Sequence, residues 1–232
     1  MPLIKFYRAD YSSAGITDAV LRELEAATGR PLAERIDVTL RSGTREPDFL
    51  AVNPNGFVPA LILPKDNDDD EEEETLWESA AITMYLGETY GVDAGLYPAA
   101  TTSSSSSSSA GGSSRRRAQA AKWIVWSNVN LPMHARQISR VVHGPKDDDA
   151  AVQALREKDA EAARAELGKL LRVLDGGLRG KEYLLATGYS LADTHIWAFM
   201  SYIKMLGVDL DSMPDLKAWI DRVGAREPLQ GL

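Results

Sequence analysis

Val52-Asn53-Pro54-Asn55-Gly56-Phe57-Val58-Pro59-Ala60-Leu61, with Trp77-Glu78-Ser79-Ala80-Ala81-Ile82 downstream, are the stretches on which the reading of this 232-residue chain turns. In the first, an Asn-Pro-x-Gly turn leads into a Val-Pro step at the start of a strand. By itself Val58-Pro59 reads as a trans proline opening an edge strand. A cis bond, open to X-Pro at modest cost, would turn the Val58 N–H and C=O outward. An extended ligand could then pair with them as an added strand. In the second stretch an acid and a hydroxyl open a helix, whose first amides are unpaired donors that attract anions. Ser79 can cap that end and share a bound carboxylate, and Glu78 can face a ligand ammonium. A plain N-cap beside a solvated acid uses the same residues. Together the two signals describe a clamp for a small peptide-like molecule with a free carboxylate.

The surrounding pattern supplies a scaffold for such a clamp. Residues 3–7 read as a short buried strand. Residues 16–28 read as a helix with Val20, Leu21, Leu24 and Ala27 on one face, ended by Gly29 and Pro31. Residues 35–40 alternate with Ile36, Val38 and Leu40 on one side, as a half-buried strand does. A helical turn over 47–52, strands over 58–63 and 75–77, and a helix over 79–90 complete a β-α-β-α-β-β-α order. That order predicts an α/β domain with a mixed sheet. Beyond it lies an unbroken serine run at 103–109, then Ala110-Gly111-Gly112, a composition that behaves as flexible coil. Every long segment after that run has helical periodicity: 115–142 with Pro132 as a kink, 150–174 ended by Gly176-Gly177, 191–206, and a short last helix around Leu216, Trp219, Ile220 and Val223. The expected division is an α/β domain over 1–91, a linker over 92–114 and an all-helical domain over 115–232.

Composition removes several chemistries. There is no cysteine, so disulfides, thiolate metal sites and a cysteine nucleophile are excluded for these residues. With only His134, His143 and His195, widely spaced, no metal site is expected. The net charge is −8, but Asp66, Asp68, Asp69, Asp70, Glu71, Glu72, Glu73 and Glu74 supply eight acids and Asp147, Asp148 and Asp149 three more. Without those eleven carboxylates the balance is +3, so the acidity belongs to solvated loops. Arg115-Arg116-Arg117 has no interleaved aromatics, and nucleic-acid binding is not expected. No apolar run approaches the roughly 20 residues of a membrane span, and no signal-peptide layout is present. A cytoplasmic protein is expected.

VNPNGFVPAL with WESAAI, and a β-α-β-α-β-β-α half followed by a helical half, resembles a cytosolic glutathione transferase, over nearly the whole chain. Ser190-Leu191-Ala192-Asp193 matches the capping box that opens the central helix of that family's second domain, and a capping box is physically sensible there. The resemblance implies a thioredoxin-like α/β N-terminal domain with an all-α C-terminal domain, glutathione as cosubstrate, and a homodimer. It implies that Val58, beside Pro59, pairs with the cysteinyl backbone of glutathione, and that Glu78 and Ser79 hold the γ-glutamyl end. A basic residue after the second strand, Arg41 or Arg45, would meet the glycyl carboxylate.

The chemistry needs a thiolate, and a free thiol ionises near ~8.5, so a donor must stabilise the anion. In that family the donor is a serine near the first helix start or a tyrosine ending the first strand. Here Tyr7-Arg8-Ala9-Asp10-Tyr11-Ser12-Ser13-Ala14-Gly15 offers both. Ser12, five residues after Tyr7 as in serine-type members, ranks first; Ser13 follows, then Tyr7, with Tyr11 also open. A serine before a helix can equally be a plain cap. The electrophile is expected near Trp126, Asn130, Met133 and Arg136, although Trp and Met at helical spacing are more often core. His195 is expected to be a satisfied core histidine. Conjugation of the glutathione thiolate to a small electrophile is the leading function. Glutathione-dependent isomerisation of the maleylacetoacetate isomerase kind, or a non-catalytic assembly module, are the alternatives.

Overall fold

A computed structural model describes residues 3–65, 73–100 and 107–232, with side chains from 113 onward in the last segment. Most of the acidic run (66–72) and four serines (103–106) of the serine run lie outside the described residues. The chain order is β1 (Ile4–Arg8), α1 (Ala14–Thr28), β2 (Ala33–Asp37), α2 (Pro47–Val52), β3 (Ala60–Ile62), β4 (Thr75–Trp77) and α3 (Ser79–Leu86). Four helices follow: α4 (Ser107–Val142), α5 (Ala150–Leu178), α6 (Leu191–Met205) and α7 (Pro214–Gly224). The sheet order is β2-β1-β3-β4, with β1 parallel to β2 and antiparallel to β3, and β3 antiparallel to β4. This is the thioredoxin-like α/β half and the helical half expected from the sequence.

Alternation along β1 divides the sheet into two faces. Ile4 and Phe6 are fully buried in the core, whereas Tyr7, on the opposite face, meets Phe49 of α2 edge-to-face at 5.7 Å. Helix α6 packs against α1, α3 and α4, and buried apolar residues of both halves form one continuous cluster. The capping box at its start is present: the Ser190 N–H and hydroxyl both donate to Asp193 Oδ2 at 3.0 Å. Asp193 Oδ1 also accepts from Leu184 N and Trp219 Nε1, each at 2.9 Å, which ties α6 to α7. Burial raises the Asp193 carboxyl above its ordinary value, and these four donors oppose that rise.

Four local expectations are corrected. The second strand spans Ala33–Asp37 rather than 35–40, because its register follows parallel pairing with β1, Ile4 opposite Ala33. Leu40 consequently lies past the strand and is 42% exposed. Over the span read as one helix at 79–90, α-helix gives way to a π-helical turn at Gly87–Gly91. Gly87 lets the Tyr97 ring in: a Cβ there would stand 2.5 Å from Tyr97 Cδ2. Helix α5 does not stop before Gly176-Gly177 but runs through both to Leu178. A Cβ on Gly177 would sit 2.5 Å from the Trp123 indole, so that glycine admits α4 rather than ending α5. Finally, α4 begins at Ser107, inside the stretch read as flexible linker. Elongating an established helix costs little, and Ser113, buried, donates its hydroxyl to the Ala99 carbonyl.

Candidate functional site

Three segments converge at one end of the sheet: the loop before β3, the start of α1 and the start of α3. The Val58-Pro59 peptide is cis. The turn ahead of it is stapled by Asn53, an almost fully buried residue that sequence reasoning passed over. Asn53 Nδ2 donates to the Phe57 carbonyl at 2.7 Å, and its Oδ1 accepts from Asn55 N at 3.1 Å and Asn55 Nδ2 at 3.0 Å. Gly56 is required here, since its φ is +65° and a Cβ would stand 2.8 Å from the Thr44 carbonyl oxygen. The only hint of Asn53's role in the sequence was its place at the head of the Asn-Pro-x-Gly turn.

The two serines of the α1 entry have different surroundings. Ser12 Oγ donates to the Ala9 carbonyl at 2.6 Å and accepts from Ala14 N at 3.2 Å. It closes a local turn with its proton already committed. Ser13, which ranked second, is solvent-exposed at the N-cap of α1, and its Oγ donates to the Val58 carbonyl at 3.1 Å. That contact joins the helix start to the cis-proline loop across 45 positions of sequence. Tyr7 belongs to the Phe49 contact on the α2 face of the sheet. Tyr11 is 91% exposed with φ 55°.

At α3, the N-cap is Glu78 rather than Ser79. Glu78 is exposed and has φ 74°, a left-handed region that favours glycine. Such strained backbone persists where the surroundings over-determine it, often at ligand sites. Ser79 is the first helical residue, 5% exposed, and its Oγ accepts from Asn128 Nδ2 of α4 at 2.9 Å. The amides of the first turn have no intrahelical partners and form the positive end of the helix dipole.

Of the two arginines after β2, Arg45 stands at the loop. It donates to the Asn55 carbonyl at 3.1 Å, and its guanidinium lies over the Phe57 ring at 5.4 Å. Arg41 is exposed, with φ 72° and its backbone N–H on Thr44 Oγ1. An open cleft of about 440 Å³ runs along α4, lined by Asn128, Val129, Pro132, Met133, Arg136 and Arg140 among others. Of the residues expected against an electrophile, Met133 and Arg136 line it. Trp126 instead packs edge-to-face on Trp123 at 5.5 Å, and Asn130 Nδ2 is bound to the Trp126 carbonyl at 2.8 Å. Trp126 shares a face with Met133, seven residues on, but its ring leans back one turn onto Trp123, and Asn130 spends its amide on the α4 backbone. His195 is fully buried with both ring nitrogens hydrogen-bonded, as expected of a core histidine.

Comparison with known proteins gives the same pairing of halves. Residues 29–89 match the family model "Glutathione S-transferase, N-terminal domain", and residues 133–227 match "Glutathione S-transferase, C-terminal domain". The chain is 30% identical over 210 residues to glutathione S-transferase 3 of Zea mays, covering 85% of this chain and 80% of that protein. It is 27% identical over 188 residues to the disulfide-bond oxidoreductase YfcG of Escherichia coli, covering 80% and 75% respectively. Among solved structures, a glutathione transferase of Burkholderia graminis with two glutathione molecules bound per subunit superposes with a TM-score of 0.76 at 22% identity, over 98% of this chain and 85% of that one.

Proposed function

Because the chain belongs to the glutathione S-transferase family, we propose that it joins the thiol of glutathione to an electrophilic small molecule. The observation that carries this reading is the Ser13 hydroxyl on the Val58 carbonyl, which joins the start of α1 to the loop before β3. A peptide thiol paired with Val58 as an added strand would bring its sulfur to the start of α1. The cysteinyl N–H of glutathione takes the Val58 carbonyl, and the γ-glutamyl carboxylate takes the first turn of α3 with the Ser79 hydroxyl. Glu78 faces the γ-glutamyl ammonium, and Arg45, rather than Arg41, stands nearer the loop as a partner for the glycyl carboxylate.

Ser13 is then the thiol-activating hydroxyl. A ligand amide on the Val58 carbonyl competes with the Ser13 hydroxyl for that oxygen, and the exposed hydroxyl can turn to the sulfur instead. The Ser12 proton is held by Ala9, and the Tyr7 ring packs on Phe49 at the α2 face of the sheet. A hydroxyl donor at the positive end of α1 lowers the thiol pKa, because it stabilises the anion more than the neutral thiol. The thiolate attacks the electrophile held in the α4 cleft over Met133. The S–C bond forms, the thiol proton goes to solvent, and any leaving group departs with the electrons of its own bond. Family members are commonly dimers, and the homodimer and the cytoplasmic location belong to this reading. Support for the dimer is the exposure of Val125 on α4, 44%.

Titration with glutathione in a calorimeter tests the first step; no heat at millimolar ligand removes the reading. Conjugation of an aryl halide by wild type, Ser12→Ala, Ser13→Ala and Tyr7→Phe tests the second. Equal rates in all four would refute the assignment of Ser13.

The similarity to the disulfide-bond oxidoreductase YfcG supports one other reading: glutathione-dependent reduction of a disulfide. One glutathione thiolate would cleave the substrate disulfide and a second would resolve the mixed disulfide. The products are glutathione disulfide and two thiols, so both reducing sulfurs arrive as ligands in a chain without cysteine. Formation of glutathione disulfide from glutathione and a small disulfide substrate separates the two reactions.

A further inference from the structure

Ser79 is the outer end of a hydrogen-bonded chain that runs through the interior. Its Oγ accepts from Asn128 Nδ2 at 2.9 Å, Asn128 Oδ1 lies 2.8 Å from His195 Nε2, and His195 Nδ1 lies 2.8 Å from Thr83 Oγ1. Thr83 and His195 have no solvent exposure at all. Ser79 and Thr83 stand one turn apart on α3, and the bridge between them is built from α4 and α6. The helical half therefore reaches the first turn of α3 through two side chains.

Donor and acceptor rules give the chain a direction. An amide oxygen only accepts, so the nitrogen facing it, His195 Nε2, carries the ring proton. Burial pushes the His195 pKa down to about 3, so the ring is neutral and has one proton to place. Nδ1 is then an acceptor, and Thr83 Oγ1 donates to it. Every proton in the chain points the same way, from Thr83 toward Ser79. The last link fills a lone pair of Ser79 with an N–H, so its own hydroxyl proton finds no acceptor in that direction. That leaves the proton for an acceptor at the first turn of α3, whose amides have no intrahelical partners.

We propose that Asn128 and His195 are positioning residues, which aim the Ser79 hydroxyl as a donor at the α-carboxylate of the γ-glutamyl group. This rests on the glutathione reading above and adds to it a share for the helical half in gripping the ligand. A free serine rotor must be ordered when the ligand arrives, whereas one already oriented has less freedom to lose. A chain that merely satisfied buried polar groups would have no reason to discriminate between ligands.

The test is calorimetric titration of wild type, Ser79→Ala, Asn128→Ala, Asn128→Asp and the Ser79→Ala/Asn128→Ala double variant. Each is titrated with glutathione and with 4-aminobutanoyl-cysteinylglycine, which is glutathione without the γ-glutamyl α-carboxylate. Asn128→Ala is expected to weaken glutathione about tenfold, the scale of one hydrogen bond to a charged group. It should leave the analogue's affinity within about twofold of wild type and add nothing in the Ser79→Ala background. Asn128→Asp, similar in shape, places an acceptor behind Ser79 and draws its proton inward, so it should weaken glutathione more than Asn128→Ala does. Additive losses in the double variant, or equal losses for the two ligands, overturn the proposal. A wild type that binds neither ligand overturns the glutathione reading itself, a separate result.

Discussion

Arg226, just beyond α7, grips Glu23 of α1 with two parallel hydrogen bonds, Nε to Oε1 at 2.6 Å and Nη2 to Oε2 at 2.8 Å. Glu23 is 1% exposed, and its Oε1 also accepts from the Tyr189 hydroxyl at 2.7 Å. The Arg226 guanidinium lies 3.7 Å from the Tyr189 ring centroid. One carboxylate in the α/β half thus collects the C-terminal tail and the loop before α6. Hydrogen bonding to Glu23 raises the Arg226 pKa further above its already high value, so the guanidinium stays charged at every working pH.

Arg226→Ala should therefore destabilise the protein by about 3–5 kcal/mol, because it leaves Glu23 buried and without its counter-charge. Replacing both residues with leucine should cost less than Arg226→Ala alone, since no bare charge remains. Urea unfolding of the two variants checks the order; the reverse order would show that the pair's own attraction dominates.

Ser13→Ala should lower conjugation by one to two orders of magnitude and raise the pH at which bound glutathione ionises, as followed by thiolate absorbance. Ser12→Ala should keep most activity and lose roughly 1 kcal/mol of stability, as a lost helix-entry hydrogen bond does. Tyr7→Phe should change neither by much.

Gly56→Ala should lower stability by about 1–3 kcal/mol, since alanine at φ +65° is strained and its Cβ meets the Thr44 carbonyl. The same displacement should weaken glutathione binding, because Val58 lies two residues further on. Asn53→Ala, which removes three hydrogen bonds from the turn, should do likewise. Thermal unfolding and calorimetry on the same samples read both effects.

His195 gives stability a defined dependence on pH. In the folded chain the ring stays neutral to about pH 3, whereas unfolded it takes a proton near 6.5. The folded pKa is depressed, so this contribution is complete above pH 6.5 and is lost as the pH falls toward 3. The slope is about 1.4 kcal/mol per pH unit, which amounts to about 2 kcal/mol by pH 5. Unfolding free energies of wild type and His195→Gln between pH 4 and 7 should differ in slope by that amount.

Asp193→Ala should cost more than 3 kcal/mol, because four donors from α6, α7 and the Leu184 turn lose their shared acceptor in a buried site. Guanidinium unfolding followed by tryptophan fluorescence would show the loss directly.

The parts of the fold that depend on neighbours in sequence were readable in advance. The turn, the Val-Pro step and the capping box at Ser190 and Asp193 are local devices, and periodicity marked most helices because a buried face repeats along the chain. The second strand starts two residues and ends three residues before the span read, because register belongs to its partner β1, and Gly176-Gly177 misled because Gly177 was needed for Trp123 rather than for a helix end.

Side-chain direction was a different matter. Ser12 and Ser13 are adjacent and alike in type, and nothing local says which one meets a carbonyl 45 residues away. Asn128, His195 and Thr83 are ordinary helix residues until three helices bring them to Ser79. Short-range backbone preferences and hydrophobic period made the architecture legible from composition and order. The hydrogen bonds that equip the site join residues remote in the chain, and packing alone brings those residues within 3 Å or so of one another.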